Sequence, residues 1–114
     1  MSKKPRFPPK PRSIVFVVFP GFQILDATGP LAAFEIAAHY APGAYRVRLA
    51  ALEAGLVPSS AQGAAMPAEA LGRMREIDTL IVVGGYGTRT AFRDAKLLAA
   101  VKRASARARR TASV

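Results

Sequence analysis

The amino-acid sequence predicts a doubly wound α/β domain, in which helices cover both faces of a mostly parallel sheet. Two short runs, Ser13–Phe19 and Thr79–Val83, are almost entirely apolar and rich in Val and Ile. Runs of this kind are typical of strands buried on both faces. Each run ends in a turn that contains glycine, and a helical segment follows. This alternation of strand and helix implies crossover connections between parallel strands.

The first 12 residues, MSKKPRFPPKPR, combine four prolines with five cations and no acid. Proline removes backbone donors and favours extended conformations. Residues 1–12 are therefore predicted to form a flexible basic tail, and residues 13–114 the α/β domain.

A helix is predicted in the apolar segment that follows the first strand. Pro30 suits its first position, because the missing N–H has no helical partner there. Thr28 is the expected cap. Pro42-Gly43 marks the end of the helix.

The remaining elements follow from the same patterns. Tyr45–Leu52 indicates a second strand, and the turn signals in residues 55–68 predict a short hairpin excursion. A short helix is considered around Ala68–Met74. Asp94–Arg110 is predicted to be a helix because its apolar residues recur at helical spacing. Thr111–Val114 resembles the first residues of a further strand, so the sheet is expected to be incomplete at its C-terminus.

Composition excludes several classes of protein. Of the 114 residues, 51% are hydrophobic, which excludes a disordered polymer. With no cysteine, the chain holds neither a disulfide nor a cysteine nucleophile. One histidine and scattered carboxylates give no metal-ligand spacing, so neither a metal nor a cofactor is expected. No apolar run reaches the roughly 20 residues of a membrane span, and a cytoplasmic location is expected.

The net charge of +10 is concentrated at the two ends of the chain. The tail carries one cluster of cations, and the segment KRASARARR carries the other, whereas the middle is nearly balanced. This second run is predicted to be a solvated face, since no aromatic residue is interleaved to stack on bases. The only histidine, His39, lies four residues after Glu35, and both are expected to face solvent.

Two segments could form a ligand site. Asp26 is predicted to lie in the loop after the first strand, and ligand sites of open α/β sheets gather at the carboxyl ends of strands. An alternative role for Asp26 is to cap the following helix. Gly84, Gly85 and Tyr86 follow the strand Thr79–Val83, where backbone N–H groups can hold an oxyanion. The alternative role for this turn is a tight connection between strand and helix.

Taken together, several segments resemble the PfpI-like, class I glutamine amidotransferase-like superfamily. They are similar above all to the N-terminal domain of GlxA-type regulators of the AraC family. The resemblance rests on IVFVVFPGFQILDATGPLAAFEIA, YRVRLAAL, IDTLIVVGGYGTR and LLAAVKRASARARRTASV. It implies a flavodoxin-like three-layer sandwich that is dimeric when complete.

The resemblance also implies roles for individual residues. In enzymes of the superfamily, a cysteine on a strand-to-helix turn lies beside an acid from the first loop, and glycine amides form the oxyanion hole. Asp26 matches that acid, Gly84 and Gly85 match the glycine turn, and Thr111–Val114 matches the strand that leads to the nucleophile. The sequence ends at Val114, before a nucleophile and before any helix-turn-helix region.

These features favour a non-catalytic, ligand-sensing fragment of a transcriptional regulator. A small nitrogenous or amide-like metabolite is expected near Asp26 and Gly84–Tyr86, with DNA contacted only through a missing C-terminal domain. The first alternative is a truncated amidase- or hydratase-like enzyme of the same superfamily. The second is a module that binds nucleic acid through its basic ends. Because the sheet is expected to expose an apolar edge, the isolated chain is predicted to aggregate or to need a partner.

Overall fold

The computed structural model describes residues 10–114. They form a six-stranded sheet in the order β3-β4-β2-β1-β5-β6, in which only the β3–β4 pair is antiparallel. The strands are β1 (Arg12–Val17), β2 (Tyr45–Ala51), β3 (Gly55–Pro58), β4 (Ala65–Ala70), β5 (Thr79–Val82) and β6 (Arg110–Ser113). The helices are α1 (Ile24–Tyr40), α2 (Thr88–Ala91) and α3 (Ala95–Arg107), and a 3-10 turn spans Leu71–Arg73.

The chain winds in both directions from the central strand β1. The connection from β1 to β2 moves one way along the sheet, and the connection from β5 to β6 moves the other way. Because crossovers between parallel strands are right-handed, α1 and α3 lie on opposite faces. The fold is therefore the flavodoxin-like α/β sandwich that the sequence predicts.

The core is centred on β1, whose apolar residues are fully buried between two parallel neighbours and two helical layers. On one face, the Phe34 ring of α1 packs edge-on against Phe16, with ring centroids 6.2 Å apart. The Phe34 ring also packs against Tyr45, at 5.3 Å. Helix α3 buries the apolar stripe that contains Leu97 and Ala104, as its spacing predicts.

Helix α1 begins six residues before the predicted position. Gln23 is the residue at its N-cap, so Asp26 lies in the first turn of the helix rather than in a loop. Pro30 lies inside the helix, and without an N–H it leaves the Asp26 carbonyl without its usual helical donor. Thr28 does not cap the helix, because its hydroxyl donates to the Ile24 carbonyl at 2.9 Å.

The hairpin at residues 55–68 is confirmed, but it is not an excursion from the sheet. Strand β4 pairs antiparallel with β3 and parallel with β2, so the hairpin extends the main sheet by two strands. The strand β4 continues to Ala70 and is followed by a single 3-10 turn. The short helix considered around Ala68–Met74 is therefore limited to this turn at Leu71–Arg73.

The sheet begins one residue inside the predicted tail. Arg12 pairs with Tyr45 as the first residue of β1, and its N–H donates to the Ala44 carbonyl at 2.8 Å. Lys10 lies 3.5 Å from the Glu76 carboxylate. The rest of the predicted tail, residues 1–9, lies outside the described residues.

Three exposed arginines near the C-terminal end of the chain bind groups in the segment Met74–Thr79. Arg109 donates two hydrogen bonds to the Asp78 carboxylate, at 2.7 and 3.1 Å. Arg110 donates to the Thr79 hydroxyl at 2.8 Å, and that hydroxyl donates to Asp78 at 2.8 Å. Arg107 donates to the Met74 carbonyl at 2.9 Å. All three residues are nevertheless exposed, as the predicted solvated face requires.

This network changes the acidity of Asp78. Hydrogen bonds from Arg109 and Thr79 stabilise the carboxylate and hold its pKa at about 2, below the ordinary value of 3.8. Thr79 itself is buried, and its hydroxyl has both a donor and an acceptor partner. The network joins the starts of β5 and β6, at the end of the sheet opposite to the predicted site.

The two edges of the sheet differ from the expected apolar edge. All four residues of β6 are exposed, and three of them are polar. At the other edge, β3 exposes Leu56 and ends in Pro58, a residue that limits strand pairing. The aggregation of the isolated chain stays a prediction.

Among residues 10–114, no helix combines the length and apolar character that a membrane span requires.

Candidate functional site

The candidate site lies where the chain reverses its direction of winding. β1 and β5 are parallel neighbours, yet the chain leaves them toward opposite sides of the sheet. Connections that diverge in this way leave a crevice at the carboxyl ends of the two strands, the usual ligand position in open α/β folds. Asp26 comes after β1, and Gly84–Tyr86 comes after β5.

Main-chain hydrogen bonds hold three loops together at this crevice. The loop after β1 accepts a bond from the glycine turn, since the Gly87 N–H donates to the Gly21 carbonyl at 3.0 Å. In return, the Gln23 N–H donates to the Gly84 carbonyl at 2.9 Å. The β3–β4 hairpin joins them through the Ser60 N–H, which donates to the Phe22 carbonyl at 2.9 Å. The position of the site is therefore fixed by backbone groups.

Glycine is required where the two strand-end loops touch. Gly85 has a φ of +130°, and a Cβ atom there would overlap the backbone nitrogen of Gln23. A Cβ atom at Gly87 would overlap the carbonyl oxygen of Pro20. The glycine turn is thus a surface against which the loop after β1 packs directly.

Asp26 lies beside Gly84 and the end of β6. A Cβ atom at Gly84 would be 3.1 Å from the Asp26 Oδ2 atom and 2.8 Å from the Val114 carbonyl oxygen. Within residues 10–114, the Asp26 carboxylate accepts no hydrogen bond and forms no ion pair. The capping alternative for Asp26 is therefore wrong. The first turn of α1 still favours this negative charge, because the helix dipole is positive at its N-terminus.

Asp26 opens onto a cleft of about 450 Å³. Its lining is mainly polar and comes from all three loops: Gln23, Asp26, Ser60, Gly85, Tyr86, Thr88 and Arg89. In the part of the chain that the structure describes, the N–H groups of Gly85 and Tyr86 donate to no protein acceptor. The cleft therefore combines a free carboxylate, a guanidinium and unpaired backbone donors.

The sequence prediction locates part of this cleft. Asp26, Gly85 and Tyr86 line it together, but Gly84 does not. Gly84 lies behind the cleft, where it packs against Asp26 and accepts the Gln23 N–H.

Sequence reasoning did not predict four of the lining residues. Thr88 and Arg89 directly follow the glycine turn, so their position next to it was a usable signal. Gln23 could be predicted only from the correct start of α1, because it is the N-cap residue of that helix. Ser60 carries no local signal, because only the long-range hydrogen bond of the hairpin brings it to the cleft.

His39 takes no part in the site. It lies in the last turn of α1, whereas Asp26 lies in the first. Both His39 and Glu35 are exposed, as predicted. Within residues 10–114, no group of three or more potential ligands is arranged to hold a metal ion.

Comparison with known proteins agrees with this architecture. The family model described as the DJ-1/PfpI family matches residues 12–114, nearly the whole chain. The chain belongs to the DJ-1/PfpI family. Among proteins with curated functions, none matches this sequence.

Solved structures share the fold. A ThiJ/PfpI family protein from Pseudomonas syringae is 26% identical with a TM-score of 0.78, and the match covers 97% of this chain and 48% of that protein. An AraC family transcriptional regulator from Pseudomonas putida is 22% identical with a TM-score of 0.60, over 66% of this chain and 48% of that one. A ThiJ/PfpI domain protein from Brachyspira murdochii is 21% identical with a TM-score of 0.62, over 76% and 49%. The chain thus spans about half the length of these relatives.

Proposed function

We propose that this chain forms the ligand-binding part of a transcriptional regulator and that it binds its ligand without converting it. The observation that carries the proposal is the cleft at the carboxyl ends of β1 and β5. There the Asp26 carboxylate lies on the same lining as Gly85 and Tyr86, and within residues 10–114 neither this carboxylate nor the two N–H groups have a protein partner. Acceptor and donor groups of this kind, fixed by main-chain bonds, suit a small polar ligand such as an amide-like metabolite.

Binding is favoured over catalysis because no nucleophile among residues 10–114 is hydrogen-bonded to a side-chain base in the cleft. Covalent catalysis needs a nucleophile within hydrogen-bond reach of a base. The sequence contains no cysteine. Its one histidine, His39, is 13 residues from Asp26 along the same helix, which corresponds to about 20 Å. The Thr88 hydroxyl is already engaged, since it donates to the Gly85 carbonyl at 2.6 Å.

A regulatory role draws support from the P. putida structure, which has the same fold and is named as an AraC family transcriptional regulator. We propose that DNA is contacted through a further domain of the gene product rather than through this one. The basic run near the C-terminus gives little support to direct binding of nucleic acid, because three of its five cations, Arg107, Arg109 and Arg110, already bind Met74, Asp78 and Thr79.

A homodimer remains part of the proposal. Helix α1 exposes large apolar side chains at Leu25, Ile36 and Tyr40, with exposed fractions of 67%, 56% and 86%. Spacings of 11 and 4 residues place them on one side of the helix. Light scattering of Ile36→Glu is expected to show a smaller assembly than the unmodified protein, and an unchanged mass would exclude this face.

The binding proposal is tested by screening small amides, amines and amino acids for a shift in thermal stability of the full gene product. Binders are expected to be lost in Asp26→Asn and kept in Glu35→Gln, a matched change at an exposed acid on the same helix. Nuclear magnetic resonance of the ligand after long incubation should recover it unchanged. Binding that is identical in Asp26→Asn would place the site elsewhere.

An enzyme of the same family is the second candidate function. The observation that favours it is that the Asp26 carboxylate and the Val114 carbonyl both lie next to Gly84. The acid is therefore close to the end of β6. In this case a nucleophile supplied beyond Val114 would stand next to an acid able to hold its proton. The full gene product would then show hydrolytic or hydratase turnover that Asp26→Asn abolishes. Turnover that persists in Asp26→Asn would count against this candidate.

A further inference from the structure

Two opposite charges line the cleft without neutralising each other. Asp26 contributes a carboxylate and Arg89 a guanidinium. Across residues 10–114, no ion pair joins them, and neither side chain forms a hydrogen bond to another group.

Elsewhere in the fold, facing charges of opposite sign do make contact. Arg48 and Glu69 form a two-point contact across β2 and β4, at 2.7 and 2.9 Å. Arg109 and Asp78 do the same, at 2.7 and 3.1 Å. The two charges of the cleft are carried by different elements, Asp26 by the first turn of α1 and Arg89 by the short helix α2. Among residues 10–114, they are not within the 4.0 Å of an ion pair.

The chemistry of these two groups defines a complementary ligand. A carboxylate binds a protonated amine by charge-assisted hydrogen bonds, and a guanidinium fork binds a carboxylate at two points. The volume of about 450 Å³ accommodates a molecule of metabolite size. A ligand with only one charge would leave the other protein charge without a partner.

We propose that the cleft selects a small zwitterion with a separated ammonium and carboxylate, an amino-acid-like molecule, and that Arg89 determines this selectivity. The inference rests on the proposed binding function and deepens it. The ammonium binds Asp26, and the carboxylate binds Arg89. The N–H groups of Gly85 and Tyr86 lie on the same lining and add neutral donors for a carboxylate or carbonyl oxygen.

A series of ω-amino acids from glycine to 6-aminohexanoate tests the proposal, because each methylene lengthens the charge separation. Binding to the full gene product is measured by isothermal titration calorimetry. Each compound is compared with its n-alkylamine, its carboxylate and its neutral amide. One chain length is expected to bind best, and its singly charged and neutral analogues at least tenfold more weakly.

Three variants identify the groups responsible. Asp26→Asn and Arg89→Gln are each expected to weaken binding of the best zwitterion at least tenfold. Arg93→Gln is the matched control, because Arg93 is exposed over the Phe92 ring and does not line the cleft. Its affinity is expected to stay unchanged.

The outcomes distinguish failure of the zwitterion selectivity from failure of the proposed binding function. If a neutral amide binds as well as the zwitterion, and Arg89→Gln has no effect while Asp26→Asn abolishes binding, the zwitterion inference is overturned and the proposed binding function stands. If no probe binds, or if Asp26→Asn leaves all binding intact, both are overturned.

Discussion

Replacing Gly85 by alanine tests whether the contact between the two strand-end loops supports the fold. Alanine at a φ of +130° is strained by about 1–3 kcal/mol. Its Cβ atom would also overlap the Gln23 backbone nitrogen. Relief of that overlap must disturb the bond from Gln23 to the Gly84 carbonyl, which contributes about 1 kcal/mol. We expect a total loss of about 3 kcal/mol in the free energy of unfolding.

Thermal and urea denaturation of the variant provide the measurement. For a domain of this size, each kcal/mol lowers the melting temperature by about 4–8 °C, so Gly85→Ala is expected to melt about 12–24 °C lower. Gly55→Ala is the matched control. Gly55 has a similar φ of +141°, but a Cβ atom there meets nothing within 4 Å. The loss of stability in Gly55→Ala therefore measures backbone strain without the contact between loops.

A second pair of variants separates the contact from the strain. Gly87 has an ordinary φ of −64°, and its Cβ atom would overlap the Pro20 carbonyl oxygen. Gly72 lies in open space without a positive φ, so Gly72→Ala should be neutral or slightly stabilising. The loop contact contributes nothing to stability if Gly85→Ala has the same melting temperature as Gly55→Ala, and Gly87→Ala the same as Gly72→Ala. That result would refute the reasoning.

Three further predictions follow from the packing, the ionisation and the edge of the sheet. Phe16→Ala should cost about 3–5 kcal/mol in unfolding free energy, because the ring is fully buried, whereas the exposed Phe92→Ala should change it by less than about 0.5 kcal/mol; equal effects would contradict the assigned core. The native pKa of Asp78 is about 2 and its ordinary value is 3.8, so its contribution to stability is present above about pH 4 and lost between pH 4 and 2. Unfolding measured across this pH range should show that Asp78→Asn no longer loses stability in this window. A stability profile identical to that of the unmodified protein would oppose the assignment. Ser113→Pro should reduce self-association without lowering stability, because the Ser113 N–H points away from β5, whereas Ala112→Pro should destabilise the fold. Chromatography with light scattering measures the self-association. If Ser113→Pro self-associates as strongly as the unmodified chain, pairing through the β6 edge is excluded.

Sequence reasoning succeeds where structure depends on neighbouring residues. The buried strands β1 and β5 follow from apolar runs, and α3 follows from its apolar stripe. The carboxyl ends of strands attract ligand sites in any parallel sheet, so Asp26 and the glycine turn could be selected before their contact was visible.

It fails where a distant segment decides the outcome. Pro30 looks like a helix start, but α1 begins at Ile24, and the N–H of its N-cap residue Gln23 donates to Gly84, about sixty residues further along the chain. Arg109 is exposed, as its basic run predicts, but its partner Asp78 could not be predicted, because the two meet only when β6 pairs with β5. Neither partner lies within the local windows from which propensity is judged.

The main-chain contact between Gly85 and Gln23 also has a consequence for synthesis. The two residues are separated by more than half of the described chain, so the cleft cannot exist on a nascent polypeptide until β5 has left the ribosome and docked beside β1. Closing a loop of that length costs chain entropy that grows only slowly with each added residue. A ribosome-bound chain that ends before residue 79 should therefore present Asp26 without the loop that supports it, and ligand would protect only longer chains from protease.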